Sequence, residues 1–309
     1  MAVDILAFGE PMVEFNQTGG AGAREYLQGF GGDSSNFAVA AARQGAKTGY
    51  ISALGADAHG RMFRDLWTRE GVDHSTVRED PSAPTGVYFV THDRDGHHFS
   101  FLRAGSAASR YRAADLPREA IGAAKLLHLS GISLAISPEA CDAGFAAMEI
   151  ERDAGARVSF DTNLRLKLWP ERRARAVISE AIRLCDVCLP SFDDVVTLYG
   201  ERDPDKLVDL MLGMGPKLVI LKLGAQGTLA ADAKRRVRVA PYPCKPIDAT
   251  GAGDTFGGAF AARLVAGDDM EDAARYAACA AALSTEGYGA VAPIPDRARV
   301  LAALQRTAA

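Results

Sequence analysis

Residues 248–260 read Asp-Ala-Thr-Gly-Ala-Gly-Asp-Thr-Phe-Gly-Gly-Ala-Phe. Small residues precede an apolar run of helical period, so 251–254 form the turn into a helix. Free backbone N–H groups at such an N-terminus bind anions, and the helix dipole favours negative charge there. Glycines at 251 and 253 let the backbone approach a phosphate with no Cβ in the way. Asp254 is then the odd residue. A carboxylate among anion-binding amides needs a reason, and a proton acceptor beside a transferring phosphoryl group supplies one. A plain helix cap also accounts for one aspartate, but not for the glycine pair before it.

Outward from this turn, short β-rich runs alternate with Ala-rich helical stretches. Strands are expected at 3–7, 47–53, 126–129, 157–161, 187–189, 218–222 and 227–231, with helices at 35–44, 61–70, 140–154 and 174–184. That alternation predicts a largely parallel sheet covered on both faces, in one doubly wound α/β domain over 1–309. Two places break the rhythm. Residues 12–16 alternate apolar and polar before a glycine loop at 19–22, and 86–91 and 98–103 flank the hairpin signal Asp93-Arg-Asp-Gly96. These segments, within about 10–31 and 85–103, are expected to pair into a small sheet that keeps one face for a ligand and the other for a partner subunit; a plain edge hairpin is the other reading.

Several classes drop out. The 309 residues are 48% hydrophobic and 24% charged, proportions that rule out low-complexity disorder. Net charge is −4, less basic than phosphate-neutralising nucleic-acid binders usually are. No apolar run approaches the roughly 18 residues of a membrane span, and the N-terminus has no basic region of the signal-peptide kind. The five scattered cysteines (141, 185, 188, 244 and 279) read as reduced thiols in a cytoplasmic protein. Cys185 and Cys188 form a CxxC, but within an apolar segment and with no second pair, so they are expected in the core. His97-His98 reads as a strand edge. There is no GxxxxGK[ST], and Gly251, Gly253 and Gly257 miss the GxGxxG spacing, which leaves a dehydrogenase as a weak alternative.

A resemblance joins these pieces. Gly31-Gly32-Asp33-Ser34-Ser35-Asn36-Phe37-Ala38 and the 248–254 turn resemble the two signatures of the ribokinase/PfkB sugar kinases. Between them, Gly55-Ala-Asp57-Ala-His-Gly60 and Lys222-Leu-Gly224-Ala-Gln-Gly227 are similar to that family's G-x-D-x-x-G and its nucleotide-binding glycine segment. The resemblance implies a ribokinase-like fold: a Rossmann-like α/β/α core with a small β-sheet lid and the sugar between them. It implies Asp254 as the catalytic base, and Gly251, Ala252 and Gly253 as the anion hole. It places the sugar hydroxyls at Gly32, Asp33 and Asn36, and ATP against Asn163, Arg165, Lys222, Gly224, Gly227, Gly251 and Gly253. Without it, Asn36 would read as a helix cap. One segment departs. Where the family often carries N-x-x-E, this chain has Ser191-Phe192-Asp193-Asp194, so the amide is lost and the acid shortened. Mg²⁺ is still needed to neutralise phosphate charge; Asp194, acting through water, is a candidate to organise it, and an ordinary surface loop is the other reading.

Within the family, Gly9-Glu10-Pro-Met-Val-Glu14-Phe-Asn-Gln, Pro84-Thr-Gly-Val-Tyr88, Arg103-Ala-Gly-Ser-Ala-Ala and Asp161-Thr-Asn163-Leu-Arg165-Leu-Lys-Leu-Trp169 look like the 2-keto-3-deoxygluconate kinase branch. A sugar acid needs a cation, and arginine matches a carboxylate with two parallel bonds. Arg103 ends the expected hairpin and Arg165 follows the 157–161 strand, so the two would reach one site from opposite walls. Phe101 stands where some members have tyrosine, which leaves Tyr88 as the lid's polar contact. The resemblance thus implies ATP-dependent phosphorylation of O6 of 2-dehydro-3-deoxy-D-gluconate, feeding aldol cleavage in Entner–Doudoroff-type or uronate breakdown. A fructokinase or other hexose kinase, and a non-catalytic sugar or nucleotide sensor, are the alternatives. A homo-oligomer through the lid is expected.

Overall fold

The computed structural model describes residues 3–18, 22–93 and 96–308. The glycine loop at 19–21 and the Arg94-Asp95 turn lie outside these residues. Eight strands form the main sheet in the order Arg236–Val239, Thr228–Ala231, Leu218–Lys222, Val187–Cys188, Arg157–Asp161, Leu126–Ser130, Ile5–Phe8 and Thr48–Ile51. The six from Leu218–Lys222 to Thr48–Ile51 run parallel, and the first two are antiparallel to their neighbours.

Side-chain alternation along these strands assigns each face its own core. Leu6, Phe8, Leu127, Leu129, Val158, Phe160, Val219 and Leu221 point to one side, packed with helices Pro138–Asp153, Glu171–Leu184 and Pro204–Met214. Ile5, Ala7, Leu126, Val187 and Ile220 point to the other, against helices Asp33–Arg43, Ala252–Ala266 and Met270–Ser284. Burial on both faces is why these strands read as apolar runs rather than as an alternation. Cys185 and Cys188 lie in the first core, as expected. No helix among the described residues is long and apolar enough to cross a membrane.

A second sheet has the order Tyr26–Gly31, Met12–Gln17, Gly86–Asp93, Gly96–Leu102, with a parallel central pair. Val13, Phe15, Phe30, Val87 and Phe89 on one face pack against helix Ala58–Glu70, where Phe30 meets Phe63 edge-on at 5.2 Å between ring centroids. The opposite face carries the row Gly29, Glu14, Tyr88, Phe101. Gly96–Leu102, which includes His97 and His98, is one of the two edge strands.

Several elements differ from expectation in their bounds, and helices Ala58–Glu70 and Glu171–Leu184 each begin three residues early. The stretch 47–53 is not one strand: Thr48–Ile51 stays in the main sheet, while Ala53–Gly55 pairs with Arg78–Asp80 in a separate ladder. Ser52, whose hydroxyl donates to the Gly9 carbonyl at 2.7 Å, sits at the break. Helix Asp33–Arg43 also begins two residues earlier than expected, because Gly32 at φ 95° provides the turn into it. Asn36 is therefore inside the helix and caps nothing.

Candidate active site

The carboxyl ends of the parallel strands place Ser130, Asp161 and Lys222 along one edge of the main sheet, where open α/β sheets bind ligands. Helices Asp33–Arg43 and Ala252–Ala266 bring their N-termini to the same edge. They cross in backbone contact, since a Cβ on Gly258 would collide with the Phe37 carbonyl and lie 2.7 Å from Ala40 Cβ. That close crossing puts Asn36 Nδ2 2.8 Å from Asp254 Oδ2, to which it donates.

Asp254 makes no capping hydrogen bond; its Oδ2 faces Asn36 instead. Burial, and next the neighbouring Asp33 charge, push its carboxyl up to about 7. The preceding turn is open to a ligand. Gly251 takes φ 74° against Ala290, a conformation that favours glycine. The N–H of Ala252 already bonds the Ala249 carbonyl at 3.2 Å, whereas those of Gly253 and Asp254 have no acceptor among the described residues. Of the three residues expected to form the anion hole, Ala252 alone has its N–H engaged within the turn among the described residues. Gly253 lies in ordinary helical conformation, and a Cβ there would meet only Lys222 Nζ, at 3.6 Å.

Asp33 Oδ2 accepts from Asn163 Nδ2 at 2.8 Å, and burial raises its carboxyl. Asp33 Oδ1 and Asn36 Oδ1 are buried without a hydrogen-bond partner among the described residues. Two orphaned acceptors one helical turn apart suit the hydroxyls of a polyol. Asn163, at φ 28°, therefore spends its amide on Asp33. Lys222 Nζ pairs with Asp161 Oδ2 at 2.5 Å beneath the Gly253 turn. Gly224 (φ 58°) faces open space, but a Cβ on Gly227 would collide with the Val239 carbonyl, so that glycine serves the turn itself. Asp57 of the G-x-D-x-x-G segment caps helix Ala58–Glu70 and accepts from Thr85 N at 2.8 Å, tying it to the start of the Gly86–Asp93 strand.

The arginines differ from each other. Arg165 is exposed, bonds only the Leu164 carbonyl (2.8 Å) and makes no ion pair among the described residues. Its charge is near enough to Asp33 to offset part of the rise that burial gives that carboxyl. Arg103 is instead paired with the buried Glu10. Tyr88, expected to offer its hydroxyl to a ligand, donates it to Glu14, and Phe101 stacks on the Tyr88 ring at 5.7 Å. Asp194 Oδ2 accepts from Thr162 Oγ1 (3.1 Å) and Leu164 N (3.0 Å), holding the loop before Arg165. Among the described residues no three His, Cys, Asp or Glu side chains converge as a metal cage.

A model of the pfkB family carbohydrate kinases matches residues 4–297. The chain belongs to that family.

This pfkB kinase is 33% identical over 318 residues to fructokinase-2 of Solanum lycopersicum, covering 97% of this chain and 96% of that one. It is 32% identical over 320 residues to the 2-dehydro-3-deoxygluconokinase of Thermoproteus tenax, covering 97% and 94%. The crystal structure of the fructokinase of Vibrio cholerae O395, bound to fructose, ADP and calcium ion, matches with a TM-score of 0.88 and 30% identity over 98% of this chain and 100% of that one. Resemblance and fold therefore agree, and the pfkB kinase phosphorylates a sugar. Its sequence gave no local sign of Asp161, Glu10 or Glu14 as partners of Lys222, Arg103 and Tyr88, because each pair joins different elements.

The glycine geometry of the pfkB kinase carries a first prediction. Gly253→Val involves no forbidden φ, so its effect comes from the space the side chain takes above Lys222. Turnover and ATP affinity should both fall, turnover by about 10²–10³-fold if the side chain denies the phosphate an amide donor, with only a small change in Tm. Steady-state kinetics and nucleotide titration check it. Unchanged values would move the phosphate away from this turn.

Proposed function

We propose that this kinase transfers the γ-phosphoryl group of ATP to O6 of 2-dehydro-3-deoxy-D-gluconate, with the four-stranded sheet as a lid over the sugar. The supporting observation is Arg165: an exposed guanidinium beside the Asp33–Asn163 pair, with no acid of its own among the described residues. An unneutralised cation at a polyol site suits a carboxylate, which it can hold through two parallel bonds. Asp33 and Asn36 accept from the sugar hydroxyls, and Asp254 takes the proton of the attacking hydroxyl. The Gly253 and Asp254 amides, with Lys222 below them, meet the developing phosphoryl charge. Magnesium supplies charge neutralisation on the phosphates. Among the described residues no side-chain cage would hold it, so the ion would come with the ATP phosphates, and Asp194 is the residue that would hold it through water.

A fructokinase is the second reading, and one observation favours it. Glu10 already neutralises Arg103, so the site offers a sugar acid one free arginine rather than two. Apolar side chains exposed on the lid, Leu27, Phe99 and Leu102, support a homo-oligomer formed through it.

Comparing the two substrates on wild type and Arg165→Ala separates these readings. For the keto-deoxy acid, kcat/KM should fall about ten- to hundredfold, the worth of a charge-assisted bond of roughly 1.5–3 kcal/mol. Fructose turnover should barely change, and Arg165→Lys should recover only part of the loss. Equal losses on both sugars would assign Arg165 to ATP and remove the support for the acid.

A further inference from the structure

The chain passes between the four-stranded sheet and the rest of the molecule four times: before Met12, after Gly31, before Gly86 and after Leu102. Glu10 touches every one of these crossings. It lies in the first. Its carbonyl oxygen occupies the place a Cβ on Gly32 would need, in the second. In the third, a Cβ on Gly86 would stand 3.1 Å from its Oε1. In the fourth, Oε1 accepts from Ser106 Oγ at 2.5 Å and Oε2 pairs with Arg103. The Glu10 side chain is 1% exposed and that of Arg103 12%, so this is a desolvated charge pair rather than a surface contact.

We propose that Glu10 is a positioning residue, the pivot that makes the four-stranded sheet close over the sugar as one body. The inference rests on the reading of that sheet as a lid. Four separate crossings would otherwise bend independently, and closure would not bring Tyr88 and Phe101 to one reproducible place. A buried ion pair with an added hydroxyl donor is directional, and breaking it by removing one partner leaves the other charge stranded. Glycines at 32 and 86 let the backbone come close to this carboxylate. Asp33, directly after the second crossing, carries one of the orphaned acceptors. Ligand contact is thus one residue from the pivot.

The test uses Glu10→Gln, which keeps the shape and the Ser106 bond, and Glu10→Gln/Arg103→Gln, which leaves no stranded charge. Each is assayed with ATP plus either the keto-deoxy acid or fructose, so the pivot is read whichever sugar is turned over. In Glu10→Gln, kcat should fall about a hundredfold, the scale of an ångström-sized misplacement, while ATP affinity holds. ATP hydrolysis without sugar should rise relative to transfer, because an unclosed lid admits water. Sugar-dependent hydrogen-exchange protection of Gly86–Asp93 and Gly96–Leu102 should weaken together. The double variant should regain Tm but not protection. Wild-type kcat and protection in folded Glu10→Gln, or full activity in the double variant, would overturn the pivot and make Glu10 a stability residue only. Absence of sugar-dependent protection in wild type would overturn the lid reading, and the pivot with it.

Discussion

Asp254→Asn should lower kcat by about 10²–10⁴-fold, the usual worth of a positioned general base, while folding and ATP binding persist. The amide is nearly isosteric, and its oxygen can still accept from Asn36 Nδ2, so the helix crossing is not disturbed. Stability should not suffer. Burial and the Asp33 charge raise the folded-state carboxyl to about 7 from an ordinary value of 3.8, so its ionisation opposes folding as pH rises across that interval. At pH 8 the variant should therefore melt no lower than wild type. The same shift predicts the pH profile: only ionised Asp254 accepts a proton, so wild-type kcat/KM should rise through about pH 7 and level above it. A variant with near-wild-type kcat would leave Asp254 a structural partner of Asn36.

The second large effect is on stability, far from the site. Glu151, on helix Pro138–Asp153, is fully buried, and neither carboxylate oxygen has a hydrogen-bond partner among the described residues. Burial, then the charge of Asp186, raises its carboxyl to about 8 against an ordinary 4.5. The folded state thus holds this proton more tightly than the unfolded chain does. Stability is lost as pH rises from about 4.5 towards 8 and stays lost above. Glu151→Met should stabilise by about 1–4 kcal/mol at pH 8.5, the range seen when apolar groups replace buried charge, and by less at pH 5. Glu151→Gln should gain less, because it leaves an unpaired amide in the core. Urea denaturation at both pH values measures it. Destabilisation by Met at both would mean that the carboxylate is satisfied in solution.

Both groups show where local pattern stops being informative. The turn at 251–254 was readable because glycine spacing and helical period are properties of neighbouring residues, and the α/β alternation for the same reason. Asp33 and Asn36 were singled out only by the family resemblance; read alone, Asn36 passed for a helix cap. Glu151 gave no warning: in Met148-Glu-Ile-Glu-Arg-Asp153 nothing separates the buried glutamate from its exposed neighbour Glu149. Only the packing of that helix on the sheet selects one of them for the core.

Strand periodicity and the glycine turn at 251–254 were thus set by backbone geometry acting within a few residues, whereas the helices starting at Asp33, Ala58 and Glu171 begin two or three residues before their expected positions. Charge pairing was not set locally. Lys222 meets Asp161 because the Leu218–Lys222 and Arg157–Asp161 strands lie one strand apart in the sheet, an order that no short stretch encodes. Arg103 read as a free cation for a substrate, and Tyr88 as a free hydroxyl, until the sheet crossings brought Glu10 and Glu14 to them. Desolvation is the reason these long-range partners are chosen in the folded chain. A charge or hydroxyl taken out of water must find a partner, and which partner stands within reach depends on how distant segments cross.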